Sequence, residues 1–191
     1  MDIKVIELNN LVKEILSEER YQHSLAVAEC AGMLAARFGL DTHKAELAGL
    51  GHDITKEFSA AEQKDYALLH SVYLPDGDDF PQILHGRTAA FFIKEKLNFY
   101  DNEVDGAMYK HTTCSEEMNE LDKIIFIADG ITPRHHLFTA KQQQMLEEFE
   151  LNRLFYEALK NKINYCLLTG KIIYGAALEW YNKLAVIYKG E

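Results

Sequence analysis

The chain has 191 residues, and 48% of them are hydrophobic, enough for one core without a covalent staple. Its formal net charge of −10 repels nucleic acid and anionic membranes at long range, which argues against either as a partner but leaves room for a small anionic ligand in a locally cationic pocket. The odd set Cys30, Cys114 and Cys166 contains no CxxC pair, which argues against a disulfide framework and a zinc–thiolate site.

Apolar residues recur mostly at helical spacing. Val5, Leu8, Val12 and Ile15 make a first stripe. His23, Val27, Ala31, Leu34 and Phe38 make a second, with Gly39 as its stop. A third helix is expected over Thr42–Gly51. Ser59 with Glu62, and Thr139 with Gln142, read as capping boxes. The stretch 71–81 clusters Pro, Asp and Gly and reads as a loop. Helical patterns resume over 82–97, 102–111 and 116–129, and two longer helices are expected over 141–169 and 175–188. The segment IIFIA has the composition of a strand but no pairing partner elsewhere, so a buried helix is expected. The fold class is therefore all-α, one helical bundle in a single domain over 1–191, with the C-terminal helices covering a pocket. No apolar run approaches the roughly 20 residues of a membrane span. MDIKVIELNN lacks the basic-then-apolar pattern of a secretory signal, so a cytoplasmic location is expected.

The chemistry is carried by His23, His52, Asp53, His85, His111 and Asp129. His23 lies on the apolar stripe of its helix, and His52 and Asp53 end a helix in AGLGHDITK. His85 lies in QILHGRTAA, His111 closes the stripe Val104–Met108, and Asp129 follows Leu121, Ile125 and Ala128 at helical spacing. One histidine on an apolar face is ordinarily a core residue with a hydrogen-bond partner, and one HD dipeptide means little. Several core-directed imidazoles and carboxylates on separate helices need a common reason, because burying an uncompensated carboxylate costs several kcal/mol. A bound metal is the economical compensation, and neutral imidazole with carboxylate suits Fe, Mn, Zn or Co. Arg20, Lys56, Arg87, Thr112 and Thr113 flank these positions and are candidates for phosphate contact. AGLG lacks the Lys-Ser/Thr ending of a phosphate loop.

RYQHSLAVAECAGMLAARFGL, KAELAGLGHDITK, ILHGRTAAFF, YKHTTC and IIFIADGITP together resemble the HD superfamily of metal phosphohydrolases. Within it they look like the YqeK-type symmetrical diadenosine tetraphosphate hydrolases, over roughly residues 20 to 135. The resemblance implies a two-metal centre of iron, with Mn, Co, Zn or Mg as alternatives, and cleavage of diadenosine tetraphosphate into two ADP. One ion would be held by His23, His52, Asp53 and Asp129, the other by Asp53, His85 and His111, with Asp53 bridging. His52, Asp53, His85 and His111 would serve the chemistry, in which a water shared by two cations becomes the nucleophile. The family tends to read Ile-Glu-Pro, one variable residue, then Arg after the last aspartate. This chain reads Ile131-Thr132-Pro133-Arg134-His135, so the phosphate contact expected of Arg134 is displaced by one position. Other nucleotides (nucleoside monophosphates, deoxynucleoside triphosphates, cyclic dinucleotides) and a non-catalytic nucleotide sensor are the rival readings, and a homodimer is compatible with all of them. His43, His70, His135 and His136 are expected at the surface. Trp180 and the tyrosines near it are expected in the core, with stacking on a base as the rival role.

Overall fold

The computed structural model describes residues 3–72, 80–132 and 138–188. Those residues form helices α1 (Ile3–Ile15), α2 (Glu18–Phe38), α3 (Thr42–Gly51), α4 (Ala60–Leu69), α5 (Phe80–Leu97), α6 (Asn102–Lys110), α7 (Glu120–Ile131), α8 (Ala140–Glu148), α9 (Leu151–Thr169) and α10 (Gly175–Tyr188). No strand occurs among the described residues, and IIFIA is the middle of α7, as its lack of a pairing partner required.

Local chemistry sets most of the boundaries. Gly39 takes φ 73°, the left-handed conformation that glycine enters without steric cost, and returns its N–H to the last carbonyls of α2. The Asp41 side chain accepts the orphan N–H groups of His43 and Lys44 at the start of α3. Both expected capping boxes are reciprocal, Ser59 with Glu62 and Thr139 with Gln142. Two boundaries differ from the sequence expectation. The helix expected from 116 starts at Glu120, because Asn119 and Asp122 form a third capping box that fixes the first turn there. The helix expected over 141–169 is two helices, since Phe149 is extended (ψ 143°) and Glu150 becomes the N-cap of α9. The break re-aims the chain: α8 buries no side chain, whereas α9 turns Leu151, Leu154, Phe155 and Leu159 into the core. A continuous helix could not present both segments to solvent and core in these proportions.

Helix α7 lies at the centre, packed against α2, α3, α6 and α9, and Ile124, Ile125, Ile127 and Ala128 are fully buried. Each such isoleucine contributes roughly 1.5–3 kcal/mol of apolar burial. The α2–α3 pair packs most closely. A side chain at Gly49 would come within 2.8 Å of the Ala28 Cα, so the glycines of AGLG serve helix approach. No helix among the described residues is long and apolar enough to cross a membrane. All three cysteines are buried and unbridged.

Candidate metal centre and its cavity

The helix ends deliver the site. His52 is the C-cap of α3 and His111 the C-cap of α6. His23 comes from the middle of α2, His85 from α5 and Asp129 from the last turn of α7. Asp53 follows His52 in a turn whose Lys56 N–H returns to the Asp53 carbonyl at 2.8 Å. Thr55, also in this turn, ties it to α5 by donating its hydroxyl to the His85 carbonyl at 2.9 Å.

Ring orientation follows from two backbone bonds of the same kind. His52 Nδ1 donates to Gly49 O at 2.7 Å, and His111 Nδ1 donates to Met108 O at 2.6 Å. A carbonyl only accepts, so each Nδ1 carries the proton and each Nε2 turns its lone pair inward. Asp53 Oδ1 is the hub, 3.0 Å from His85 Nε2 and 3.6 Å from both His52 Nε2 and His111 Nε2. Asp129 Oδ1 lies 3.2 Å from His23 Nε2 and 3.6 Å from His52 Nε2. Ligand atoms of His23, His52 and Asp129, and again of His52, Asp53 and His111, gather within 4.8 Å of one another. The expected division gave Asp53 to both ions; the gathered sets share His52, with His85 against the Asp53 hub.

Two observations fit these residues to a cation. His52 Nε2 is buried without a hydrogen-bond partner among the described residues, an inward lone pair that a positive ion satisfies. The Lys56 ammonium stands where a cation is wanted, 3.2 Å from Asp53 Oδ1 and 2.9 Å from His85 Nε2. The electrostatics agree. Burial opposes ionisation of Asp53, but His52 and His85 beside it hold its carboxyl well below the usual range. Asp129 is likewise held low, against its burial, by His23 and His52. Burial, then the Lys56 charge, push His85 down to about 3, and burial also lowers His111, so both rings are neutral near pH 7, the form in which an imidazole can hold a metal. His52 moves the other way: burial lowers it, but Asp53 and Asp129 raise it more.

Of the cluster, His23, Asp53 and Asp129 line a cavity of about 620 Å³, with His52, His85 and His111 buried behind them. Arg20 reaches Asp53 Oδ2 at 3.4 Å, and Arg20, Lys56, Thr112 and Thr113 all line the space. Thr112 Oγ1 is buried without a hydrogen-bond partner among the described residues, a hydroxyl left for a ligand. Arg87 is not in the lining among the described residues; its guanidinium lies 5.2 Å from the centre of the Tyr109 ring. Arg134, His135 and His136 lie outside the described residues. His43 is exposed. His70 departs from the surface expectation: it is partly buried, stacked on Phe91 and 3.0 Å from Glu95. Trp180 is also absent from the lining; it packs edge-on against Phe155 and donates to Ser115 O at 2.9 Å.

Sequence reasoning missed Glu57. Its carboxylate accepts both the Ser17 N–H and the Ser17 hydroxyl at 2.6 Å, and lies 3.7 Å from Arg20 Nε. Its position one helical turn after Asp53 was the available signal. Lys162, Lys171 and Tyr174 also line the cavity; they lie in the C-terminal helical region expected to cover the pocket, although neither lysine was singled out as a phosphate contact.

The fold and this site define an HD-domain hydrolase. The chain belongs to the HD domain family, whose model matches residues 20–134. It is 34% identical to the symmetrical bis(5'-nucleosyl)-tetraphosphatase of Halalkalibacterium halodurans, over 94% of this chain and 96% of that one. It is 28% identical to the protein of the same name from Bacillus subtilis, over 91% and 93% of the two chains. A crystal structure from Clostridium acetobutylicum, described as a predicted HD superfamily hydrolase involved in NAD metabolism, superposes with a TM-score of 0.83 at 29% identity, covering 95% and 97% of the two chains.

Proposed function

We propose that this chain hydrolyses diadenosine tetraphosphate symmetrically, releasing two ADP, with two metal ions, iron by preference, held by His23, His52, Asp53, His85, His111 and Asp129. The observation that carries the reading is the Nε2 of His52, without a hydrogen-bond partner among the described residues and set between two carboxylates that line a cavity, in a chain whose relatives over nearly its whole length bear that activity in their names. The chemistry such ions supply when bound is a water acidic enough to attack at neutral pH, with neutralisation of phosphate charge. The chain's own residues do the rest. The Gly49 and Met108 carbonyls fix the two imidazoles in their ligating tautomer. Arg20 and Lys56 hold phosphate oxygens by charge-assisted hydrogen bonds, and the Thr112 hydroxyl donates a further one. Glu57 keeps Arg20 in place. The whole chain acts as one catalytic domain in the cytoplasm, without nucleic acid or membrane as partner.

Full-length protein loaded in turn with iron, manganese and cobalt should convert diadenosine tetraphosphate to ADP alone. AMP plus ATP would contradict the symmetric assignment, and no turnover with any metal would end the proposal. Asp53→Ala should lose turnover by orders of magnitude, which a nucleotide sensor would not show. One observation favours a second reading. Thr132, which stands where the family tends to have glutamate, lines the cavity, so another nucleotide giving the largest kcat/KM in a panel assay would replace the tetraphosphate.

A further inference from the structure

The same cavity is also lined by the α9–α10 segment, whose chemistry differs from that of the His/Asp cluster. Gly170 ends α9 in the left-handed conformation (φ 67°) and reverses the chain, so that 171–174 run along the cavity before α10 begins at Gly175. Lys162 and Ile163 come from α9, and Lys171, Ile172 and Tyr174 from the reversed segment. Glu19, Asp53, Glu57 and Asp129 are the carboxylates lining the cavity among the described residues, and none of them comes from α9, α10 or the segment between them. The α9–α10 lining holds two lysines and no carboxylate among its described residues, in a chain with 30 acidic and 20 basic side chains. Lys171 is already oriented, its ammonium donating to Tyr165 Oη at 2.8 Å and lying 4.8 Å from the centre of that ring. Ile172 stays 53% exposed beside it, an apolar side chain left at the rim of a polar cavity.

A dinucleoside tetraphosphate has a nucleoside at each end and phosphate between. A metal cluster can hold the phosphates at the cleaved linkage, but it cannot recognise what lies beyond them. We propose that the α9–α10 wall is a nucleotide subsite: Lys162 and Lys171 bind the phosphates beyond the cleaved linkage, and Ile172 and Tyr174 cover the attached nucleoside. This rests on the hydrolase reading above and adds to it the element that selects a substrate with two nucleosides. The His/Asp cluster supplies the reaction and the α9–α10 lining supplies affinity, so the two separate in kinetics.

The test uses iron-loaded full-length protein with K162M, K171M and the double variant, methionine keeping the length of the apolar stem. KM for diadenosine tetraphosphate should rise roughly tenfold per lysine, the value of one charge-assisted hydrogen bond reduced by partial solvent exposure. The kcat should stay within about twofold, because uniform binding is what is lost. ADP binding, followed by calorimetry and independent of turnover, should weaken by the same factor. Unchanged KM and unchanged ADP affinity would overturn the subsite while wild-type turnover left the hydrolase reading standing. A fall in kcat at constant KM would overturn it too, by placing the lysines in the chemistry. Should wild-type protein leave the tetraphosphate uncut, the hydrolase reading falls and the ADP titration alone decides the subsite.

Discussion

Gly86 offers the sharpest test of how the proposed metal centre is built. It follows His85 on α5, where α5 meets the end of α6. A Cβ added there would lie 2.9 Å from both Met108 O and His111 Cε1, and 3.0 Å from His111 Nδ1. These atoms form the bond that sets the His111 tautomer, Nδ1 donating to Met108 O at 2.6 Å. Gly86→Ala must therefore open the α5–α6 contact by about 0.5 Å or rotate the imidazole, because a backbone carbonyl has no other way to give. Overpacking of this kind costs about 1–3 kcal/mol. At roughly 2–4 °C per kcal/mol for a chain of this size, the melting temperature should fall by several degrees. With His111 as one of the proposed ligands, displacing its support should lower metal affinity roughly 10–100-fold. The assay is thermal melting with and without chelator, together with a metal titration. Gly106→Ala is the internal control: its added Cβ meets nothing nearer than 3.8 Å, so on α6 it should be neutral or stabilising. Wild-type melting and metal affinity in Gly86→Ala would refute the packing argument.

Other outcomes follow from the same structure. His52→Asn removes the inward Nε2 and should lower the bound metal measured by elemental analysis; full metal content would show that His52 is no ligand. Asp122 is buried, accepts from Lys110 Nζ at 2.6 Å and completes the capping box of α7, so Asp122→Ala should cost about 3–5 kcal/mol in denaturant unfolding. Burial, with Asp101 adding to it, pushes the Asp105 carboxyl up to about 6. The folded state then holds that proton more tightly than the unfolded state, so ionised Asp105 costs stability above about pH 6 and nothing below about pH 4. Asp105→Asn should accordingly gain about 1 kcal/mol at pH 7.5, an amount already reduced for the screening of a half-exposed carboxylate, and nothing at pH 4, as melting curves at the two pH values would reveal.

Much of the architecture was legible because it is written in short-range terms. The Gly39 stop, the Ser59 and Thr139 boxes and the limits of α3 and α10 each depend on a few adjacent residues. The two errors have different origins. Asn119 with Asp122 is a less conspicuous box than Ser with Glu, and the break at Phe149 is imposed by where α8 and α9 must lie, although the local residues would continue a helix. At the site, the apolar periodicity directed His23, His111 and Asp129 inward, and the structure brings them to one centre. Periodicity could not exclude Arg87 from the cavity lining, because its position over Tyr109 depends on how α5 packs against α6.

The sequence by itself determined that the chain is helical and that imidazoles and carboxylates point to an interior without thiolates. Helix period and caps are properties of neighbouring residues, and buried charge needs compensation wherever it sits. Only the tertiary structure decided that Asp53 Oδ1 is the hub, that Lys56 stands in the cation position, and that Glu57 secures Arg20. It also brought Lys162 and Lys171, more than a hundred residues from Asp53, into the lining of the same cavity. Those relations are distances across packed helices, and they are fixed by the close approaches that Gly49 and Gly86 permit.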